Sequence, residues 1–322
     1  MTALPLPALD GRTPLGFLAA LGLARLVTEH TGHPARLAWS RQDATAVLHH
    51  AQPDLDTLLA DLTAIVHAIP HGGVLPDTGP AFPPPGEAPD KLRLRRNDFS
   101  RYAWQLATDD GPAAERWLAS LVTDLSLDKD SRANISLYTA PSGKQSMRTM
   151  LDKPLTLIRA NPQLLREALI AWRRYPGVTG EYLDHRVLFD AVDAPNGKPA
   201  ERGVPGATWL ALMSYPLLRT TSIDGQPMTT CWQNLGRRAG RRMIYPLWST
   251  PLDLAAVQAL LSHPILSNAE PGPPPQLATL LSVFWISHAT RRRIPGRNFA
   301  GVLATTTNPI RSGAASTPRG LR

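Results

Sequence analysis

Cysteine is almost missing from this 322-residue chain, where Cys231 stands alone. One thiol excludes an intramolecular disulfide and any cysteine-rich zinc site, and it fits a reducing compartment. Lysine is scarce too: five copies (positions 91, 129, 144, 153 and 198) among 34 basic residues leave 29 arginines. Of the nine histidines, none forms an HExxH pair and none stands at finger spacing from a cysteine. His67 and His71 have ligand spacing for a helix, but Pro70 breaks the helix between them. The nucleophile elbow GxSxG, the Walker loop and the dinucleotide fingerprint GxGxxG are absent as well. The stretch Ser142 to Ser146 has Tyr138 where the first Walker glycine belongs and Gln145 in place of the magnesium-holding hydroxyl. It reads as a turn with one lysine. No apolar run reaches the roughly 20 residues a membrane span needs. The start of the chain has no Lys or Arg before Arg12, unlike the n-region of a signal peptide. The expectation is a cytoplasmic chain with no membrane contact, no cofactor, no resident metal and no small-molecule substrate.

What is present is basic. The net charge is +8 and the pI is about 10.0. The charge is also uneven: residues 1–160 hold 16 basic and 17 acidic side chains, and residues 161–322 hold 18 and 9. Arginine grips phosphates and guanine edges through paired hydrogen bonds, so its excess points to nucleic acid. A GC-rich coding sequence would enrich arginine without any such selection. The concentration of charge in one half favours a single surface facing a polyanion.

The chain is organised around Pro14 to Val27 (PLGFLAALGLARLV). Thr13 is a capping residue, Pro14 suits the first helical position, and the helix is apolar on nearly every side, as a core helix is. Gly206 to Leu217 reads as a second apolar helix. Its Trp209-Leu210-Ala211 echoes Phe17-Leu18-Ala19 at a spacing of 192 residues, which raises the question of two related halves. Arg36–Trp39 and Thr45–His49 read as a hairpin, and Asp54–Ile69, Pro112–Leu125 and Gln163–Tyr175 as amphipathic helices. Thr229–Trp232, Met243–Trp248 and Leu280–Ser287 read as strands, and Thr250-Pro251 as the cap of a helix through Leu261. Cations at the end of the 163–175 helix, Arg173 and Arg174, suit its dipole. The expected fold is α+β, with mixed helices and short antiparallel strands around two apolar core helices; an all-α arrangement is the rival. The expected divisions are 1–75 (helix and hairpin), a Pro-rich linker at 76–90, a basic α+β body at 91–304 and a disordered basic tail at 305–322.

Three basic segments stand out. Arg93, Arg95, Arg96 and Arg101 follow the linker, the first three on an expected exposed strand, with Phe99, Tyr102 and Trp104 placed to stack on bases; the competing reading is a solvated edge strand beside a core helix holding Trp104. Arg237, Arg238, Arg241 and Arg242 crowd one hairpin tip, and Arg291, Arg292, Arg293 and Arg297 follow the last strand. Lys144 and Arg148 complete the candidate nucleic-acid-binding set. The competing acid-base cluster is Asp184, His185, Asp190 and Asp193, flanking a short strand at Val187–Phe189. Such groups hold a divalent ion and activate water in metal-dependent nucleases. A protein-only assembly subunit is the third reading.

Several apolar blocks carry a family likeness. GRTPLGFLAALGLARL, GATWLALMSYPLL, TTCW and YPLWSTPLDLAAVQALL resemble proteins of the type I-G (formerly I-U) CRISPR systems, nearest to their large-subunit-type components. The resemblance covers about half the chain in scattered blocks. It implies a non-catalytic subunit of an RNA-guided surveillance complex. Such a subunit helps hold guide RNA, contacts the short duplex motif beside target DNA and works with the other complex subunits. The matching blocks contain no catalytic residue to carry over, and the chain is shorter than the largest members of that group.

Overall fold

Thr13 sets the entry to the central helix. Its backbone is extended and its Oγ1 accepts from Gly16 N at 3.1 Å, with Pro14 next, where a missing N–H costs nothing. The helix that follows, α1 (Pro14–His30), is buried without a break from Pro14 to Val27. It ends where Thr31 returns both its N–H (3.1 Å) and its Oγ1 (2.7 Å) to Val27 O. Two glycines make its surroundings possible. A Cβ on Gly16 would lie 2.3 Å from Asp10 O, and one on Gly22 would lie 1.7 Å from Leu210 O. The second approach brings in α7, Pro205–Met213, the other wholly buried helix. The two apolar helices therefore pack directly on each other.

The computed structural model describes residues 2–51, 54–84, 92–140, 146–189, 200–236, 240–266, 269–293 and 301–305. The fold is α+β. The remaining helices are α2 (Leu55–Ala68), α3 (Arg96–Asp109), α4 (Gly111–Leu121), α5 (Met147–Ala160), α6 (Gln163–Ile170), α8 (Leu254–Leu261) and α9 (Gln276–Leu280). The strands are all antiparallel. β1 (Thr2–Asp10), β2 (Arg36–Trp39) and β3 (Thr45–His50) form a sheet in the order β1-β3-β2. β4 (Val122–Leu127) pairs with β5 (Ala133–Ile135). β6 (Tyr175–Pro176), β7 (Leu188–Phe189) and β8 (Ala200–Gly203) form the order β6-β8-β7. β9 (Thr220–Ile223) pairs with β10 (Gln226–Thr229). β11 (Trp232–Asn234), β12 (Arg241–Trp248), β13 (Val283–Arg292) and β14 (Val302–Thr305) form the largest sheet, in sequence order. Among the described residues no helix is long and apolar enough to cross a membrane.

Phe17 of α1 sits between the first sheet and the largest one. Its ring stacks on Trp39 at 5.6 Å and meets Tyr245 at 4.6 Å and Trp248 at 6.3 Å. Trp248 Nε1 donates to Leu37 O at 2.7 Å, and Tyr245 OH to Arg12 O at 2.9 Å. One buried apolar cluster runs from Leu6 to Leu303, and Val74, Leu75 and Phe82 belong to it. The Pro-rich stretch is thus tied into the core as far as it is described. Arg148 fastens it further, donating to Pro80 O (2.9 Å), Pro83 O (3.2 Å) and Gly72 O.

Several elements depart from the sequence reading. Residues 92–95 form no exposed strand; Arg96 opens α3 instead, with Phe99 and Leu106 inward. The 112–125 helix stops at Leu121, and the chain turns straight into β4. The 163–175 helix stops at Ile170, so Arg174 serves Asp184 rather than a helix end. Asp253, not Thr250, caps α8, accepting from Ala256 N at 2.9 Å. Leu280 closes α9 and is 76 % exposed, so the last long strand begins only at Val283. The strand expected at Val187–Phe189 begins one residue later, after a 3-10 turn at His185–Val187. The expected tail loses its first residue to β14; residues 306–322 lie outside the described residues.

Candidate nucleic-acid interface

The end of the largest sheet faces the β5 edge across a groove of about 710 Å³. β12 and β13 supply Arg241 and Arg291, and Arg293 follows β13 directly. The opposite wall is Asn134, Ile135, Ser136, Leu137 and Thr139, with Trp232 of β11 and Arg93, from just before α3, completing it. All three basic segments of the sequence thus send an arginine to one place. Among the described residues no Asp or Glu lines the groove.

Strand pleating decides which arginines arrive. Side chains alternate faces along a strand, so Arg241, which lines the groove, and Arg242 point apart. Arg242 turns to the other face and is consumed there by Glu270 (2.9 Å), Gln233 Oε1 (2.5 Å) and Ala269 O (3.3 Å). Arg241 makes one long hydrogen bond, to Gln226 Oε1 at 3.3 Å, and has no ion pair among the described residues. Burial alone lowers its pKa. Arg293 is exposed.

Arg291 has a different task. Its guanidinium donates to Glu181 O (3.2 Å), Gly301 O (2.9 Å), Leu137 O (3.2 Å) and Tyr138 O (2.9 Å). It clamps three chain segments under the groove. Burial pulls it down to about 10 against the opposing pull of Tyr215 and Glu181, so it stays cationic at neutral pH and adds to the field above it.

The other candidates scatter. Arg95 and Arg101 are exposed, Arg96 faces Asp124 at 3.9 Å, and Arg292, paired with Val302 at the end of β13, is exposed. Arg148 spends its guanidinium on the carbonyls of the Pro-rich loop. Lys144, Arg237, Arg238 and Arg297 lie outside the described residues, as do Asp190 and Asp193. Of the nuclease cluster, Asp184 is buried with both oxygens engaged, one by Arg174 and one by Arg186 N at 2.9 Å. His185 Nδ1 stands 3.8 Å from it.

One constellation was missed by sequence reasoning. Arg25 is 0 % exposed, and its guanidinium donates to Met213 O at 3.0 Å, pairs with Glu29 at 2.9 Å and with Asp77, and lies over Trp117 at 5.4 Å. His30 Nε2 meets the other Asp77 oxygen at 2.7 Å, and Arg116 meets the other Glu29 oxygen at 2.7 Å. Burial pushes the Asp77 carboxyl up, but the His30 hydrogen bond and the Arg25 charge override it and hold it at about 2. Glu29, His30 and Asp77 present ligand atoms within 4.8 Å of one another, the spacing of a metal centre. Every carboxylate oxygen of that trio already has a cationic or imidazole partner. Two carboxylates against two guanidiniums make a charge-balanced lock. The signal was a lone charged residue in the middle of an apolar helix.

No protein-family model matches the chain, and no curated protein matches it.

Proposed function

We propose that the chain is a non-catalytic nucleic-acid-binding subunit of a type I CRISPR RNA-guided surveillance complex, working in the cytoplasm beside other subunits of that complex. It grips guide RNA or target DNA by the backbone. The observation that carries this reading is the groove lined by Arg93, Arg241, Arg291 and Arg293 with no carboxylate on its walls among the described residues. In RNA-guided recognition the protein holds backbone while base pairing reads sequence, so such a role needs arginine in a stable cleft and no catalytic centre. The engagement of both Asp184 oxygens weighs for holding over cleaving. The CRISPR context rests on the apolar blocks that resemble that family.

Fluorescence anisotropy with labelled RNA and DNA 20-mers tests it. The double variant Arg241→Ala/Arg293→Ala is expected to bind at least about tenfold more weakly at 100 mM salt. For single strands its log–log salt slope is expected to be shallower by roughly 1.4, about 0.7 per lost phosphate contact. Equal binding by wild type and variant would reject the reading. Retention of protein partners by a chain that ignores nucleic acid at low salt would favour the assembly-only alternative.

A further inference from the structure

The exposed side of α3 carries the one exposed aromatic among the large apolar side chains at the described surface. Phe99 and Leu106 are buried, with Tyr102 and Ala103 half-buried on the same side. The outward ridge, at i, i+4, i+7 and i+11, is Asn97, Arg101, Trp104 and Thr108. Trp104 is 72 % exposed, an unusual position for so large an apolar ring. The flanking acids, Asp98 and Asp109, stand off this ridge by the helical rotation.

A helix that docks into a protein groove repeats apolar anchors along its ridge. This ridge has a single anchor with an amide, a guanidinium and a hydroxyl beside it. One flat indole next to one cation matches a nucleotide instead, with the ring for a base and Arg101 for a phosphate. The placement supports the same ligand. Arg93 lines the groove three residues before α3 begins at Arg96, and Trp104 stands about 12 Å further along the helix.

We propose that Trp104 is a base-stacking platform for a single strand of nucleic acid whose backbone lies in the arginine groove. The proposal rests on the binding reading above and narrows it to a strand with unpaired bases. A base inside a duplex has no free face to offer, so duplex binding does not use Trp104.

The test is anisotropy on the full chain with oligo-U and oligo-dT 20-mers and with a blunt duplex of the same length. The variants are Trp104→Ala, Trp104→Phe and Trp104→Leu, each checked for an unchanged thermal midpoint. Trp104→Ala is expected to weaken single-strand binding about tenfold, the lower range of one base–aromatic stack, with the salt slope unchanged. Trp104→Phe restores most of the loss, Trp104→Leu does not, and duplex affinity is the same in all. A preference for oligo-U or oligo-dT identifies the strand as RNA or DNA. If Trp104→Ala binds single strands like wild type, or if Leu replaces Trp as well as Phe does, the stacking proposal is overturned. Loss of binding in Arg241→Ala/Arg293→Ala alongside that result leaves the groove reading standing. A wild-type chain that holds neither strand nor duplex at 50 mM salt ends both.

Discussion

Arg25 shows what a single residue is asked to do. A guanidinium with no solvent exposure is tolerated only when paired and hydrogen-bonded, and Met213 O, Glu29 and Asp77 engage both terminal nitrogens, leaving Nε without a partner among the described residues. Removing one partner strands the charge, so Asp77→Asn is expected to cost about 3 kcal/mol in urea unfolding. The pH dependence follows from the depressed carboxyl. An unfolded Asp titrates near 3.9 and folded Asp77 near 2, so its contribution is complete above about pH 4 and is lost as pH falls through 2. That contribution is about 2 kcal/mol, and Asp77→Asn is expected to flatten the stability curve over that window. His288 acts earlier, because burial lowers it to about 4 and its neutral form is lost to the unfolded chain below about pH 6.5. Arg291 and Arg293, two residues apart, are expected to separate cleanly. Arg291→Met removes a clamp on four carbonyls and lowers the thermal midpoint by several degrees, whereas Arg293→Ala leaves the midpoint alone and weakens binding.

Helices and strands were legible to different degrees. α1 announced itself through Thr13, Pro14 and an unbroken apolar run, and α7 through the apolar run from Gly206, although it stops at Met213 rather than Leu217. The hairpin read from the short runs 36–39 and 45–49 is present, its second strand one residue longer. β1 stayed hidden because Pro5 and Pro7 argue against a central strand; the sheet order places it at an edge, where proline is tolerated. α5 stayed hidden because Pro154 sits inside it, although Ser146 caps it and Met150, Leu151, Leu155 and Ile158 mark its buried side. The groove was half legible. Composition located three basic segments, but only the phase of the pleat separates Arg241 from Arg242, and only tertiary packing turns Arg291 inward. At the element scale the sharpest test is Gly22→Ala, whose Cβ would overlap Leu210 O. Forcing α1 and α7 apart is expected to lower stability by about 2–3 kcal/mol in chemical denaturation.

Across the whole molecule, charge and core divide the labour. A single buried cluster joins elements from Leu6 to Leu303, so the groove has walls fixed by distant parts of the chain. Arg93 arrives from the nearly neutral half and Arg241 and Arg293 from the basic half. Several arginines outside the groove are held by carboxylates, as Arg166 is by Asp56 and Arg174 by Asp184. Exposed arginines stand outside the groove too, Arg95, Arg101 and Arg292 among them, so selectivity of the groove over bulk charge is a separate property. Two variants with the same loss of charge measure that selectivity: Arg93→Ala/Arg241→Ala/Arg293→Ala in the groove and Arg166→Ala/Arg173→Ala/Arg219→Ala outside it. The decisive measurement is the dependence of single-strand affinity on salt for both. The groove variant is expected to lose about two units of log–log slope while the other keeps the wild-type slope, whereas equal losses would show that net charge, not this groove, holds the strand.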